Sequence, residues 1–227
     1  MTEGEIKQLS RGFESSSVEE ILEWAAERFA EGLVMTSNFG AEGIVVIDKL
    51  ARMARLTPII YLDTGYQFAE TDRLKEQLRA RYGLEIIEQR AELSVAEQDR
   101  IYGEKLYQHN PDLCCRMRKV EPLEHALKGY RAWIAALRRD QSPTRANIGI
   151  LEWNARHGLI KINPLATWTR KDVWNYLMRH KLPYNSLYDD GYASIGCQPC
   201  TRRVVAGQHE RSGRWDGEMR LECGIHL

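Results

Sequence analysis

Leu33-Val34-Met35-Thr36-Ser37-Asn38-Phe39-Gly40-Ala41-Glu42-Gly43-Ile44-Val45-Val46-Ile47 decides the fold. An apolar run of strand length gives way to a small-residue turn, and a helical period starts directly after it. Leu33 to Ser37 reads as a short buried strand, Asn38 to Gly43 as the turn, and Ile44 to Ala54 as a helix. Ile44, Val45, Ile47, Leu50 and Met53 share its inward face. The next unit has the same grammar. Thr57 to Leu62 is a strand ending at Asp63-Thr64-Gly65, Phe68 to Tyr82 a helix closed by Gly83, and Leu84 to Glu88 a third strand. This order with short loops predicts an α/β fold, a parallel twisted sheet with helices on both faces. Ligands in such sheets sit beyond the carboxyl ends of the strands, which singles out Ser37–Gly43 and Leu62–Gly65.

Outward from this centre the chain divides unevenly. Residues 1–17 are polar and are expected to form an irregular, flexible N-terminal segment. Ser17 and Glu20 make a capping box for a helix that Gly32 stops. Residues 94–113 read as a helix and a loop ending at Asn110-Pro111, and Arg116 to Lys128 as a helix interrupted at Pro122. Trp133 to Leu137 and Leu159 to Ile162 are further strands, and Thr169 caps a last helix that ends before Pro183. Residues 18–195 thus form one α/β domain, to which 196–227 belong as a cysteine-rich tail with no readable regular structure.

The 227 residues balance to a formal net charge of zero, which argues against a general nucleic-acid binder. No apolar run approaches the ~18 residues of a membrane helix, and residues 1–17 contain no apolar signal core. A cytoplasmic location is the expectation. Five cysteines in a reducing compartment point to metal binding or catalysis rather than disulfides.

Those cysteines follow the pattern CC-x81-C-x2-C-x22-C. Cys114, Cys115, Cys197 and Cys200 can bind zinc or an iron–sulfur cluster, since both accept four thiolates. Adjacent cysteines suit a tetrahedral zinc knot poorly and can more easily reach two irons of one cluster. Lys119, one helical turn after Cys115, would place a cation beside it. Cys223 is left over. It looks displayed on a mobile tail, with Arg211, Arg214 and His226 as the nearest groups able to raise its thiolate fraction. Gly40 and Gly43 open a helix after a strand, a weak signal for an anion site without the Lys-Ser/Thr of a P-loop. Arg138, Arg139 and Arg145 follow a strand in a basic loop that could grip phosphate.

FGAEG (39–43), LDTG (62–65), CCRMRKVEPL (114–123), RRDQSPTR (138–145), NPLATWTRKDVWNYL (163–177), LPYN (182–185), GCQPCTR (196–202), RSGRW (211–215) and ECGIHL (222–227) together resemble the assimilatory sulfonucleotide reductases, specifically the iron–sulfur-containing adenylylsulfate (APS) reductases. The resemblance covers nearly the whole chain from Val18. It implies an adenine-nucleotide α-hydrolase fold and a 4Fe–4S cluster on Cys114, Cys115, Cys197 and Cys200. It implies that Cys223 is the nucleophile and that Lys119, Arg211, Arg214 and His226 surround the phosphosulfate. Phe39, Gly40, Leu62, Thr64 and Arg145 match positions lining the nucleotide pocket. The implied partners are APS, with phosphoadenylylsulfate (PAPS) as the alternative substrate, and reduced thioredoxin or a glutaredoxin-like donor. No nucleic acid or membrane partner is expected, and a homo-oligomer stays open. The implied activity is thioredoxin-dependent APS reduction to sulfite and AMP. Three departures stand out: Asn38 where many relatives have serine, Ala136 where glycine is common, and a spacer between Trp215 and Cys223 shorter than in some relatives. A zinc-stabilised binding module and an ATP-dependent RNA sulfur-transferase are the competing readings. The second lacks its S-G-G-x-D-S loop here.

Overall fold

Residues 1–17 carry a helix rather than the irregular segment their polarity suggests. In the computed structural model, which describes residues 1–205, 207–215 and 222–226, α1 spans Glu3–Gly12. Thr2 and Glu5 form a reciprocal capping box. Ile6 enters the core, and the Ser10 hydroxyl accepts a hydrogen bond from Leu151 N at 3.0 Å. Ile6, Leu9 and Phe13 stand at helical spacing, but they are the few apolar residues in an otherwise polar segment. It is held by tertiary contact. The expected capping box at Ser17 and Glu20 opens α2 (Val18–Phe29).

β1 (Leu33–Thr36) has Leu33, Val34 and Met35 buried, as suits a strand covered on both faces. α3 follows as Ala41–Arg52, β2 as Ile59–Asp63, α4 as Ala69–Tyr82 and β3 as Ile86–Arg90. The third strand thus begins two residues later than its apolar run does, with Leu84 serving as core support for the turn out of α4. Gly83 ends α4 with φ +66, a conformation that favours glycine. The 94–113 region is more helical than expected: α5 (Val95–Tyr102), α6 (Leu106–His109) and α7 (Pro111–Cys115). Asn110 and Pro111 start α7 instead of ending a loop, because Asn110 Oδ1 accepts from Leu113 N and proline suits the first helical turn. For the same reason Pro122 does not break the next helix: it lies in the first turn of α8 (Glu121–Ala126). The irregularity falls one step earlier, as a π turn over Arg116–Val120.

β4 (Ala132–Ala135), β5 (Leu151–Asn154), β6 (Leu159–Ile162) and α9 (Arg170–Arg179) complete the described elements. The sheet order is β3-β2-β1-β4-β6-β5, parallel except for the β5–β6 pair. β5 is the strand that sequence reading missed. It is short, only Leu151 in it is buried, and it lies at the edge under α1. From β1 the chain steps to β2 and β3 on one side and resumes with β4 on the other, so the topological switch point lies between β1 and β4.

The larger core cluster joins α2, α3 and α9 to one face of the sheet, and α8 covers the other. Ile47 of α3 is fully buried there. Ile47→Ala should therefore lower unfolding free energy by about 2–5 kcal/mol, read as a reduced denaturation midpoint.

Candidate active site

The turn after β1 is held by its own side chains. Ser37 Oγ accepts from Phe39 N at 2.9 Å, and Asn38 Oδ1 accepts from Gly40 N at 3.2 Å. Asn38 Nδ2 donates to Ile195 O at 3.0 Å, so this side chain ties the turn to the tail segment. Tyr188 OH accepts from Ala41 N at 3.4 Å. Gly43 leaves room for this arrangement, since an added Cβ would stand 2.5 Å from Ser37 Oγ and force that side chain to shift.

Beyond this turn a cavity of about 210 Å³ opens at the carboxyl ends of β1, β2 and β4. Gly40, Leu62, Thr64, Lys119, Arg145, Arg211, Arg214, Cys223 and His226 all line it. Residues from six separate stretches of sequence thus meet at the switch point. Three expected pocket residues do not line it. Phe39 turns into the core and packs on Tyr61 with ring centroids 5.6 Å apart; its backbone takes a left-handed φ of +56 to do so. Arg138 is fully buried and is engaged by Glu42, Asp140 and both oxygens of Glu210. Arg139 points away, to Glu14 and to Ile148 O. Those partners hold Arg138 and Arg139 off the cavity wall. The basic loop looks cationic in sequence because Glu42, Glu210 and Glu14 are distant in the chain.

Beside the cavity, four thiols converge on a second, small one. Cys114, Cys115, Cys197 and Cys200 line it, with Tyr66, Arg118 and Lys119 on its wall. The π turn buries both cations. Arg118 is a pillar: it donates to Gln98 Oε1 at 2.7 Å and Thr64 O at 3.0 Å, and stacks over Tyr66. Lys119 borders both cavities. Burial disfavours its charge, but the thiol groups of Cys197, Cys223 and Cys115 outweigh that and raise its pKa. Burial also pushes Cys114 up to about 12 and Cys200 up to about 11. Cys197 behaves differently: burial opposes its thiolate, but Lys119, the Thr64 hydroxyl 3.3 Å from its sulfur, and Arg214 hold its pKa below the ordinary thiol value. The donor set suits thiophilic metals. Among the described residues, no three His, Cys, Asp or Glu side chains already stand in a single-ion geometry.

Arg214 donates to Cys200 O at 3.3 Å and lies over Trp215 at 4.7 Å. It needs Gly196 beneath it, where a Cβ would stand 2.2 Å from its guanidinium. Arg211 is buried enough for its pKa to be pushed down to about 10; neighbouring Arg145 adds to this, and Glu222 partly offsets it.

Residues 222–226 are docked in the cavity rather than displayed. The His226 ring stacks on Trp133 at 5.5 Å and 18°. Trp133 Nε1 is fixed by Thr36 Oγ1 at 2.7 Å, and Lys161 Nζ reaches His226 O at 3.4 Å. Arg156 donates to Gly224 O at 3.4 Å. The spacer at 216–221, and Leu227, lie outside the described residues. Burial, reinforced by Lys161, Arg145 and Arg211, holds the pKa of His226 well below the ordinary imidazole value. An undocked His226 would titrate near ~6.5. Because the docked pKa is the lower one, docking is fully supported above that value. It loses about 1.4 kcal/mol per pH unit below it. Hydrogen-exchange protection of residues 222–226 should accordingly fall between pH 7 and 5.5 in the wild type (round values below ~6.5) and much less in His226→Phe.

Glu222 and Trp133 are site residues that sequence reading passed over. Trp133 looks like ordinary strand core, and no spacing rule pairs Glu222 with a loop 77 residues away.

A switch-point cavity with glycine-opened helix α3 on one side, and cations gathered round the Cys223 thiol on the other, has the form of a nucleotide site in a doubly wound α/β protein. The chain belongs to the phosphoadenosine phosphosulfate reductase family, whose domain profile matches residues 32–203. It is 47% identical to a phosphoadenosine 5'-phosphosulfate reductase of Gloeobacter violaceus, over 97% of this chain and 93% of that one. It is 44% identical to an adenosine 5'-phosphosulfate reductase of Streptomyces coelicolor, over 99% and 96%. A crystal structure of phosphoadenylyl-sulfate reductase from Candida auris, in a phosphate complex, superposes with a TM-score of 0.77 at 31% identity, covering 88% of this chain and 97% of that one. Fungal FMN adenylyltransferases share the fold alone, with a TM-score of 0.56 at 15% identity for one from Candida glabrata, over 87% of this chain and 72% of that one. No described helix is long and apolar enough to cross a membrane.

Proposed function

We propose that this chain reduces APS to sulfite and AMP, with Cys223 as nucleophile and a reduced thioredoxin, or a glutaredoxin-like dithiol, as electron donor. The observation that carries this reading is the meeting of Cys223 with Lys119, Arg211 and Arg214 in the switch-point cavity. The Cys223 thiolate attacks the sulfur of APS in line. A sulfur–sulfur bond forms, the sulfur–oxygen bond to the phosphate breaks, and AMP leaves with that electron pair. The enzyme is left as S-sulfocysteine. One thiolate of the donor then attacks Cys223 Sγ, expelling sulfite, and its second thiol resolves the mixed disulfide. The donor supplies two electrons and ends as a disulfide. Sulfur falls from the sulfate to the sulfite level.

An anion must approach an anion in the first step, so cations at the cavity wall set its rate. Each such contact contributes on the order of 2–4 kcal/mol in the transition state. Cys114, Cys115, Cys197 and Cys200 would hold a 4Fe–4S cluster, and the convergence of three buried thiols and a half-buried one beside two cations supports this. Such a cluster would supply a fixed, electron-rich wall that positions and tunes the cationic side of the site. The chain's own part is to hold Lys119 between that wall and Cys223. A reducing cytosol is the setting in which free thiols and a dithiol donor coexist.

PAPS is the second reading, because relatives of comparable identity carry either name. Anaerobic sulfite release from APS and from PAPS with reduced thioredoxin decides between them, with iron and sulfide measured on the same sample. APS turnover with bound iron and sulfide is expected. Turnover of PAPS alone, or zinc in place of iron, would overturn the corresponding part.

A further inference from the structure

Glu222 precedes Cys223 and sits in a socket of its own. Its Oε1 accepts from Arg145 Nε at 2.7 Å, Thr144 Oγ1 at 3.1 Å and Ser142 Oγ at 3.3 Å. Its Oε2 accepts from Arg145 Nη2 at 2.7 Å and Arg211 Nη2 at 3.4 Å. The carboxylate and the Arg145 guanidinium are both buried, and the pairing is two-pronged, the geometry that fixes orientation as well as distance. Arg145 Nη1 is taken by Gln141, whose Oε1 also accepts from Arg138 N, so the fork is braced to the loop behind it. The socket is therefore shaped for the tail. Consecutive Cα atoms are ~3.8 Å apart, so anchoring Glu222 fixes the start of Cys223. The other described ties of 222–226, at Gly224 O, His226 O and the His226 ring, all lie on the far side of Cys223.

We propose that Glu222 is the positioning residue for Cys223: its clasp on Arg145, Ser142 and Thr144 sets where the thiol stands in the cavity before substrate arrives. Calling Cys223 the nucleophile rests on the function proposed above, but the clasp is measurable without substrate.

The test is alkylation of Cys223 by iodoacetamide in the full-length, substrate-free protein under anaerobic conditions, followed site by site with peptide mass spectrometry. Glu222→Gln and Arg145→Gln should each speed alkylation of Cys223 about tenfold, the size expected for losing a hydrogen bond to a charged group. Combined, they should do no more than either alone. The sign separates positioning from simple charge. Removing a carboxylate beside a thiol favours the thiolate and removing a cation disfavours it, so a purely electrostatic role would speed one variant and slow the other. Thr144→Val, which removes a single donor, should give about a two- to threefold rise, and its cycle with Glu222→Gln serves if Arg145→Gln does not fold. In turnover with APS, Glu222→Gln should lower kcat about tenfold or more while KM moves much less. Unchanged alkylation in Glu222→Gln, opposite signs in the two single variants, or a double variant equal to the product of the singles would each overturn the proposal. If the cycle holds while Cys223→Ser still releases sulfite, the functional reading fails and the clasp stands. If Cys223→Ser is inactive and the cycle fails, only the clasp falls.

Discussion

Cys223→Ser is expected to abolish sulfite release from APS, by on the order of 10⁴-fold or more, while nucleotide binding persists. Serine keeps the size of the side chain, so the docking of 222–226 through Glu222, Gly224 and His226 is undisturbed. What is lost is the thiolate, which is the better nucleophile at neutral pH and the atom that would form the sulfur–sulfur bond. A hydroxyl transferring to the same sulfur would give a sulfate ester, from which a dithiol cannot expel sulfite. The end of the cavity proposed for the nucleotide is lined by the β1 turn, Leu62 and Thr64, which do not depend on Cys223. Equilibrium binding of AMP and steady-state sulfite release, measured on the same preparation, check both halves.

Lys119→Met should cost about 10²–10³ in kcat/KM, the equivalent of ~2–4 kcal/mol of charge stabilisation. Methionine matches the lysine stem in reach and packs without charge. Lys119 is the one described cation that borders both the switch-point cavity and the four-thiol cavity. Cys197 and Cys223 are its leading favourable partners against burial, and it is in turn the leading group that favours the Cys197 thiolate. Removing it should therefore weaken the grip on an anionic substrate. Steady-state kinetics with APS, beside a thermal denaturation curve, separates this from misfolding. A fall of less than about fivefold in a folded variant, under ~1 kcal/mol, would remove Lys119 from the catalytic account.

The fold was legible where local chemistry and tertiary context agree. β1, its turn and α3 could be read from one continuous stretch because the strand is apolar throughout and the turn is built of small residues. β5 and α1 could not, because each is polar on most of its surface and is held by the other. The arginine loop shows the same limit in the site. Arg138, Arg139 and Arg145 look alike in sequence. Only Arg145 lines the cavity, where it clasps Glu222 of the tail, whereas Glu42 and Glu210 hold Arg138, and Glu14 holds Arg139, off its wall. Thiols are easier to read, since few roles suit five of them in one chain, and spacing already separates Cys223 from the other four. The turn of Phe39 into the core follows from its left-handed backbone, which no spacing pattern announces. The clasp on Glu222 was invisible for the simplest reason: its partners are far away in sequence.

The most direct measurement is to mix the reductant-free protein with APS under anaerobic conditions, quench in acid, and locate the added sulfonate by peptide mass spectrometry. The account predicts a single SO₃ group on Cys223, removed by reduced thioredoxin as sulfite appears. A sulfonate on Cys114, Cys115, Cys197 or Cys200, or sulfite formed with no sulfonated cysteine at any time, would contradict it.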